Sequence, residues 1–209
     1  MQSKVILALD VTEKKKAVNL ANLLCEDIYA IKVNLPIVME NGIEIVKTLS
    51  KYSNIICDFK LADVPHMVSM ITRKALENGA YGIISHSFPG YDSLSEIVRV
   101  SPDMKVFSVV SMSNEGSMQF IDKSMEDLID ISIKAGVYGY VAPGNRYEVL
   151  KKIRSKVGKS IIISPGIGAQ GGDAQLAVKN GADYVIVGRS IYESADPLGS
   201  LNVLNASLS

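Results

Sequence analysis

The run DFKLAD, residues 58–63, places two carboxylates and an ammonium within six positions. Asp58 and Lys60 stand two apart, a spacing that on a β-strand sends both side chains to one face. The residues around them are apolar, so that face is an interior one, where a carboxylate and an ammonium are tolerable only as a pair. A single pair of this kind is equally at home as a structural ion pair. Further charges favour chemistry: Asp10 follows the run VILAL, Lys32 sits in YAIKV, and Asp63 comes three residues after Lys60. An ammonium ringed by carboxylates keeps its proton, which suits a proton donor, whereas a Schiff-base lysine needs the opposite surroundings.

A second set of residues has the character of an anion site. SPGIGAQGGD (164–173) and VGRS (187–190) are segments in which apolar runs give way to glycine and to helix starts. Backbone N–H groups at helix N-termini and a guanidinium fork both suit phosphate oxygens. Gly166, Gly168, Gly171 and Gly172 alone would read equally well as a tight turn; Arg189, one strand later, favours the phosphate. Ser113, in the Met112-Ser113-Asn114 turn, is a candidate ligand contact. His66 and His86 are the only histidines, too few for a histidine-rich metal site. His86 is expected as a hydrogen-bonded residue at a strand end, and Cys57 as a small apolar residue facing outward.

These residues need a scaffold that gathers them. Eight apolar runs qualify as strands: 5–9, 29–33, 54–60, 82–87, 105–112, 139–143, 160–167 and 184–188. Their near-continuous hydrophobicity is that of parallel strands covered on both faces. Between them lie helical patterns. Val64, Met67, Val68, Ile71, Ala75 and Leu76 form one stripe within 63–79, stopped at Asn78-Gly79; Leu128, Ile129, Ile131 and Ile133 form another, stopped at Gly136. Eight strand-helix units over 1–209 predict a single (β/α)8 TIM barrel domain. No GxGxxG follows the first strand, where a doubly wound dinucleotide sheet would carry its turn. In a barrel the charged residues above fall at the C-terminal ends of strands, where active sites collect.

Composition narrows the classes. Twenty-two Lys and Arg balance 22 Asp and Glu, which argues against a nucleic-acid binder, and 47% hydrophobic residues argue against disorder. No window approaches the ~20 apolar residues of a membrane helix. Cys25 and Cys57 form no CxxC pair, which fits a reduced cytoplasmic setting.

DFKLADVP (58–65) closely resembles the Asp-x-Lys-x-x-Asp-[Ile/Val]-Pro signature of the orotidine 5′-monophosphate decarboxylases. LALD, IKVNLP, HSFPG, the Met-Ser after strand 5, PGIGAQGG and VGRSIY resemble further segments of that family, in order, from Val5 to about Pro197. The resemblance implies a homodimeric barrel with shared active sites that converts orotidine 5′-monophosphate to uridine 5′-monophosphate without metal or organic cofactor. It implies Asp58 against the substrate carboxylate, Lys60 as the acid that protonates C6, and Asp63 donated to the neighbouring subunit's site. Asp10 and Lys32 match the ribose-hydroxyl and charge-network positions. Ser113 matches the pyrimidine contact, Gln170, Gly188 and Arg189 match the phosphate grip, and Pro165 matches a further substrate-binding position. Two departures stand out: Met67 replaces a threonine that helps bind ribose, and Asn34 stands where glycine is common. The alternative is a magnesium-dependent hexulose-phosphate synthase or ketogulonate-phosphate decarboxylase of the same superfamily. Those enzymes place an acidic metal ligand where this chain has Lys32, whose charge would repel the ion. A phosphosugar-binding barrel without activity would be expected to lose part of the Asp-Lys network.

Overall fold

The computed structural model describes residues 3–208. Eight parallel strands close in sequence order: β1 Val5–Ala8, β2 Ala30–Asn34, β3 Ile55–Leu61, β4 Gly82–His86, β5 Lys105–Val109, β6 Gly139–Val141, β7 Ile161–Ser164 and β8 Tyr184–Val187, with β8 paired back to β1. The connections carry α1 Lys14–Leu24, α2 Leu35–Asn41, α3 Glu44–Leu49, α4 Pro65–Glu77 and α5 Tyr91–Val100 in the first half. The second half carries α6 Met125–Ala135, α7 Tyr147–Val157, α8 Ala174–Lys179, α9 Arg189–Tyr192 and α10 Pro197–Ser207. This is the single-domain barrel that the apolar runs predict. The described helices include none long and apolar enough to cross a membrane.

Strand alternation divides the core in two. Ile6, Ala8, Ala30, Ile56, Ile84, Phe107, Val109, Val141, Ile163 and Ile186 fill the barrel. Their neighbours in sequence, such as Leu7, Ile31, Cys57 and Ile83, pack outward against the helices. Phe107 is the largest interior side chain, and it requires glycine on neighbouring strands. A Cβ on Gly139 would lie 2.6 Å from the Ile161 carbonyl and 3.0 Å from the Phe107 ring. Below it, Tyr29 and Tyr81 share a 2.8 Å hydroxyl hydrogen bond and Tyr29 stacks on Tyr184 at 3.9 Å, plugging the N-terminal end. Because successive inward positions climb each strand, residues two further on from this packing reach the opposite rim.

The helical stripes are only partly core. Val68 and Ala75 of α4 are buried, but Val64 and Met67 face outward at 60% and 40% exposure. Ile133 on α6 also faces solvent, while Leu128 and Ile129 are buried. A stripe of i, i+3, i+4 positions wraps beyond the contact zone of one neighbour, so its flanks remain open in a single chain.

Candidate active site

The inward series on β1, β2 and β3 ends in charge. Lys32 Nζ lies 2.9 Å from Asp58 Oδ2 and 3.7 Å from Asp10 Oδ1. Lys60 Nζ donates to both Asp58 oxygens, at 2.8 and 2.9 Å. The side chains of Lys32 and Asp58 are 9% and 7% exposed, whereas that of Lys60 is 40% exposed. Lys60 therefore presents its ammonium to the open side of the pair. Burial pushes the Asp58 carboxyl up, but the charges of Lys32 and Lys60 and their hydrogen bonds outweigh it and hold the group below its usual value. Within this chain the charges alternate, Asp10–Lys32–Asp58–Lys60: Lys32 stands between two carboxylates, whereas Lys60 meets only Asp58, short of the ring of carboxylates expected around it.

Lys60 reaches this place by an unusual backbone. Its φ is +44°, in the left-handed region. Cys57 pairs with Ile83 and Leu61 with Ser85, so four steps along β3 oppose two along β4. Two extra residues preserve the parity of the strand, which is why simple alternation still puts Asp58 and Lys60 together.

Asp10 is exposed at the rim and accepts a hydrogen bond from Asn34 Nδ2 at 2.7 Å. Asn34 stands at the N-cap of α2 without capping it, because its amide turns to Asp10 instead. Ser113 Oγ donates to Gln170 Oε1 at 2.8 Å, joining the loop after β5 to the loop after β7. The glycines of the latter loop serve mainly the turn. The N–H groups of Gly168, Gly171 and Gly172 bond to Gly172, Gly168 and Gly166 carbonyls within it. Those three donors are thus engaged in the loop itself, a correction to the expectation that the glycine amides cradle an anion. Gln170, together with Gly188 and Arg189 at the start of α9, supplies the polar wall there.

Asp10, Lys32, Asp58, Lys60, Ser113, Pro165, Gln170, Gly188 and Arg189 all line one cavity of about 250 Å³ over the strands' C-terminal ends. Asp63 does not line it. Its Oδ1 accepts the Val64 N–H at 2.7 Å, and it faces an external hollow shared with Val64, Phe88 and Asp92. His86 is buried beside Phe88, 4.9 Å between ring centres, and burial followed by the Lys60 charge pushes its pKa down to about 4. Its Nδ1 has no hydrogen-bond partner among the described residues, contrary to the hydrogen-bonded rim role expected. Cys57 faces the helix layer as expected, and burial pushes its thiol up to about 12. Among the described residues no three His, Cys, Asp or Glu side chains gather as a metal site.

The reading of the sequence missed Ser111, Asn145, Arg146 and Asp122. Ser111 lines the cavity, and Asn145 Nδ2 donates to the Ser113 carbonyl at 3.1 Å. The polar Asn145-Arg146 pair directly after an apolar run was a usable signal; Asp122, far beyond its strand, offered none.

A model described as the orotidine 5′-phosphate decarboxylase / HUMPS family matches residues 3–202. The chain belongs to this family. Its relatives include an orotidine 5′-phosphate decarboxylase of Thermoplasma acidophilum, 48% identical over 204 residues that cover 98% of this chain and 94% of the relative. One from Thermoplasma volcanium is 50% identical over 197 residues, 94% and 89% of the two chains. Among solved structures, the orotidine 5′-monophosphate decarboxylase of Methanocaldococcus jannaschii complexed with the inhibitor BMP superposes with a TM-score of 0.94 at 35% identity, covering both chains fully. That of Pyrococcus horikoshii gives 0.90 at 37% identity over 98% of each chain. In this chain the family match takes in every strand of the barrel and all the charged residues of the cavity.

Proposed function

We propose that this protein decarboxylates orotidine 5′-monophosphate to uridine 5′-monophosphate, the last step of pyrimidine nucleotide synthesis. The observation that carries the reading is the buried Asp58 carboxylate bracketed by Lys32 and Lys60, in a cavity whose opposite wall offers Arg189 and Gln170. Family membership and relatives that bear the decarboxylase name support it.

The chemistry follows from that geometry. The C6–carboxylate bond breaks, carbon dioxide leaves, and the electron pair stays on C6. Lys60 stabilises the growing charge and gives C6 a proton, becoming a neutral amine that solvent recharges. Asp58 faces the departing carboxylate and holds the ammonium in line; Lys32 offsets the charge of Asp58 and links it to Asp10, which takes the ribose hydroxyls. Ser113 contacts the pyrimidine. Gln170, Gly188 and Arg189 surround the phosphate, whose binding energy positions a base that reacts elsewhere, and Pro165 lines the same substrate cavity. Every step uses side chains of the protein alone, with no metal or organic cofactor.

The assembly belongs to the same proposal: a homodimer in which Asp63 completes the partner's site. Asp63 lies outside its own cavity, Val64 and Phe88 share its external hollow with their side chains exposed, and Met67 and Met70 on α4 are exposed as well. Two free cysteines, Cys25 and Cys57, agree with work in the cytoplasm.

The test is loss of orotidine 5′-monophosphate absorbance with purified protein, before and after exhaustive chelation. Turnover that survives chelation, and falls by at least about 10²- to 10⁴-fold in Lys60→Ala, is the expected result. No turnover, or turnover strictly dependent on added magnesium, would overturn the proposal, the latter in favour of an enediolate enzyme.

A further inference from the structure

Between β5 and α6 the chain runs through two short 3-10 turns, Glu115–Gln119 and Ile121–Ser124, with Ser113 near its start. Long irregular connections are commonly the mobile parts of a barrel, yet a residue that reads a base must stand still. This one is gathered on a single carboxylate. Asp122 Oδ1 accepts from Ser111 Oγ at 2.7 Å and Ser117 Oγ at 2.6 Å, and Oδ2 pairs with Arg146 Nη2 at 2.5 Å. The same partners then hold the peptide next to Ser113. Arg146 Nη1 donates to the Met112 carbonyl at 3.1 Å, and the Met112 N–H donates to Ser117 Oγ at 3.1 Å. Both polar groups of Met112 are thus fixed by side chains that converge on Asp122, and Ser113 is the next residue.

Asp122 is absent from the cavity wall, so it acts at one remove. Burial pushes its carboxyl up, but hydrogen bonds from Arg146, Ser117 and Ser111 and the Arg146 charge hold it below the usual range. We infer that Asp122 is a positioning residue that sets where Ser113 meets the pyrimidine ring, acting through Arg146, Ser111 and Ser117. The inference rests on the decarboxylase reading. An asparagine keeps the shape but not the charge: with its amide oxygen toward Arg146, its NH₂ must donate to the two serine hydroxyls, which reverses those hydrogen bonds and removes the charge assistance from every one of them.

The experiment compares Asp122→Asn, Ser113→Ala and the double variant, using two probes: uridine 5′-monophosphate, which has the base, and ribose 5-phosphate, which lacks it. Asp122→Asn should weaken uridine 5′-monophosphate about tenfold and lower kcat/KM in parallel, since a charge-assisted network is lost, while leaving ribose 5-phosphate within about twofold. In the Ser113→Ala background the same change should cost less than about twofold, because its target is gone. Equal losses for both probes would reveal a merely structural role and overturn the inference. So would affinities like the wild type, or full additivity with Ser113→Ala. Should Asp122→Asn fail to fold, Ser117→Ala removes one tether of Met112 and is read in the same way. An inactive wild-type protein would instead defeat the decarboxylase reading, which separates the two failures.

Discussion

Lys60 carries two burdens, an ammonium held on Asp58 and a backbone at φ +44°. A side chain in that region costs of order 1–3 kcal/mol and persists where its surroundings impose it. The ion pair to Asp58 and the two-residue excess of β3 over β4 are what impose it here. Substitution can separate chemistry from backbone. Lys60→Ala and Lys60→Gly both lose the ammonium and should be equally inactive. They should differ in stability, with the glycine variant firmer by about 1 kcal/mol, because glycine adopts positive φ without a Cβ penalty. Urea unfolding of the pair measures the difference. Equal midpoints, or an alanine variant more stable than the glycine one, would mean that the bend at residue 60 stores no strain.

Elements hold the site with differing tolerance, and the loop after β7 is the tightest. An added Cβ at Gly172 would strike the Gly166 carbonyl oxygen and come within 3.2 Å of the Asn145 backbone. Neither obstacle is the end of a flexible side chain, so Gly172→Ala must displace the loop that carries Gln170. We expect kcat/KM to fall about tenfold, with KM raised and kcat lowered together, because the phosphate binding energy also positions the base. Steady-state kinetics with unchanged KM would detach this loop from the phosphate. The strands that precede such loops were legible because parallel strands covered on both faces leave continuous apolar runs. Helix faces were less so: Val64 and Met67 belong to the apolar stripe at α4 but are exposed, since periodicity reports a stripe without saying what covers it. The charged cavity residues were legible from their places at strand ends. The Asp122 network was not, because 3-10 turns carry no period and tertiary contact alone brings Asp122 to Ser111 and Arg146.

At the scale of the whole molecule, the proposed homodimer would cover the exposed side of α4 and receive the outward Asp63 in the partner's site. Isologous symmetry makes this testable without a structure of the dimer. Lys60→Ala and Asp63→Ala chains, each nearly inactive, are mixed and allowed to exchange subunits. In a mixed dimer one site collects both lesions, while the other combines an intact Lys60 with an intact Asp63 from across the interface. Random exchange makes about half the dimers mixed, so activity should recover to roughly one quarter of that of the wild type. If each site drew both residues from one chain, every site would keep a lesion and mixing would restore nothing. Verified exchange without recovery would therefore sink the shared site while leaving the decarboxylase chemistry of Lys60 and Asp58 intact. Recovery would assign the carboxylate that lies outside its own cavity to the partner's.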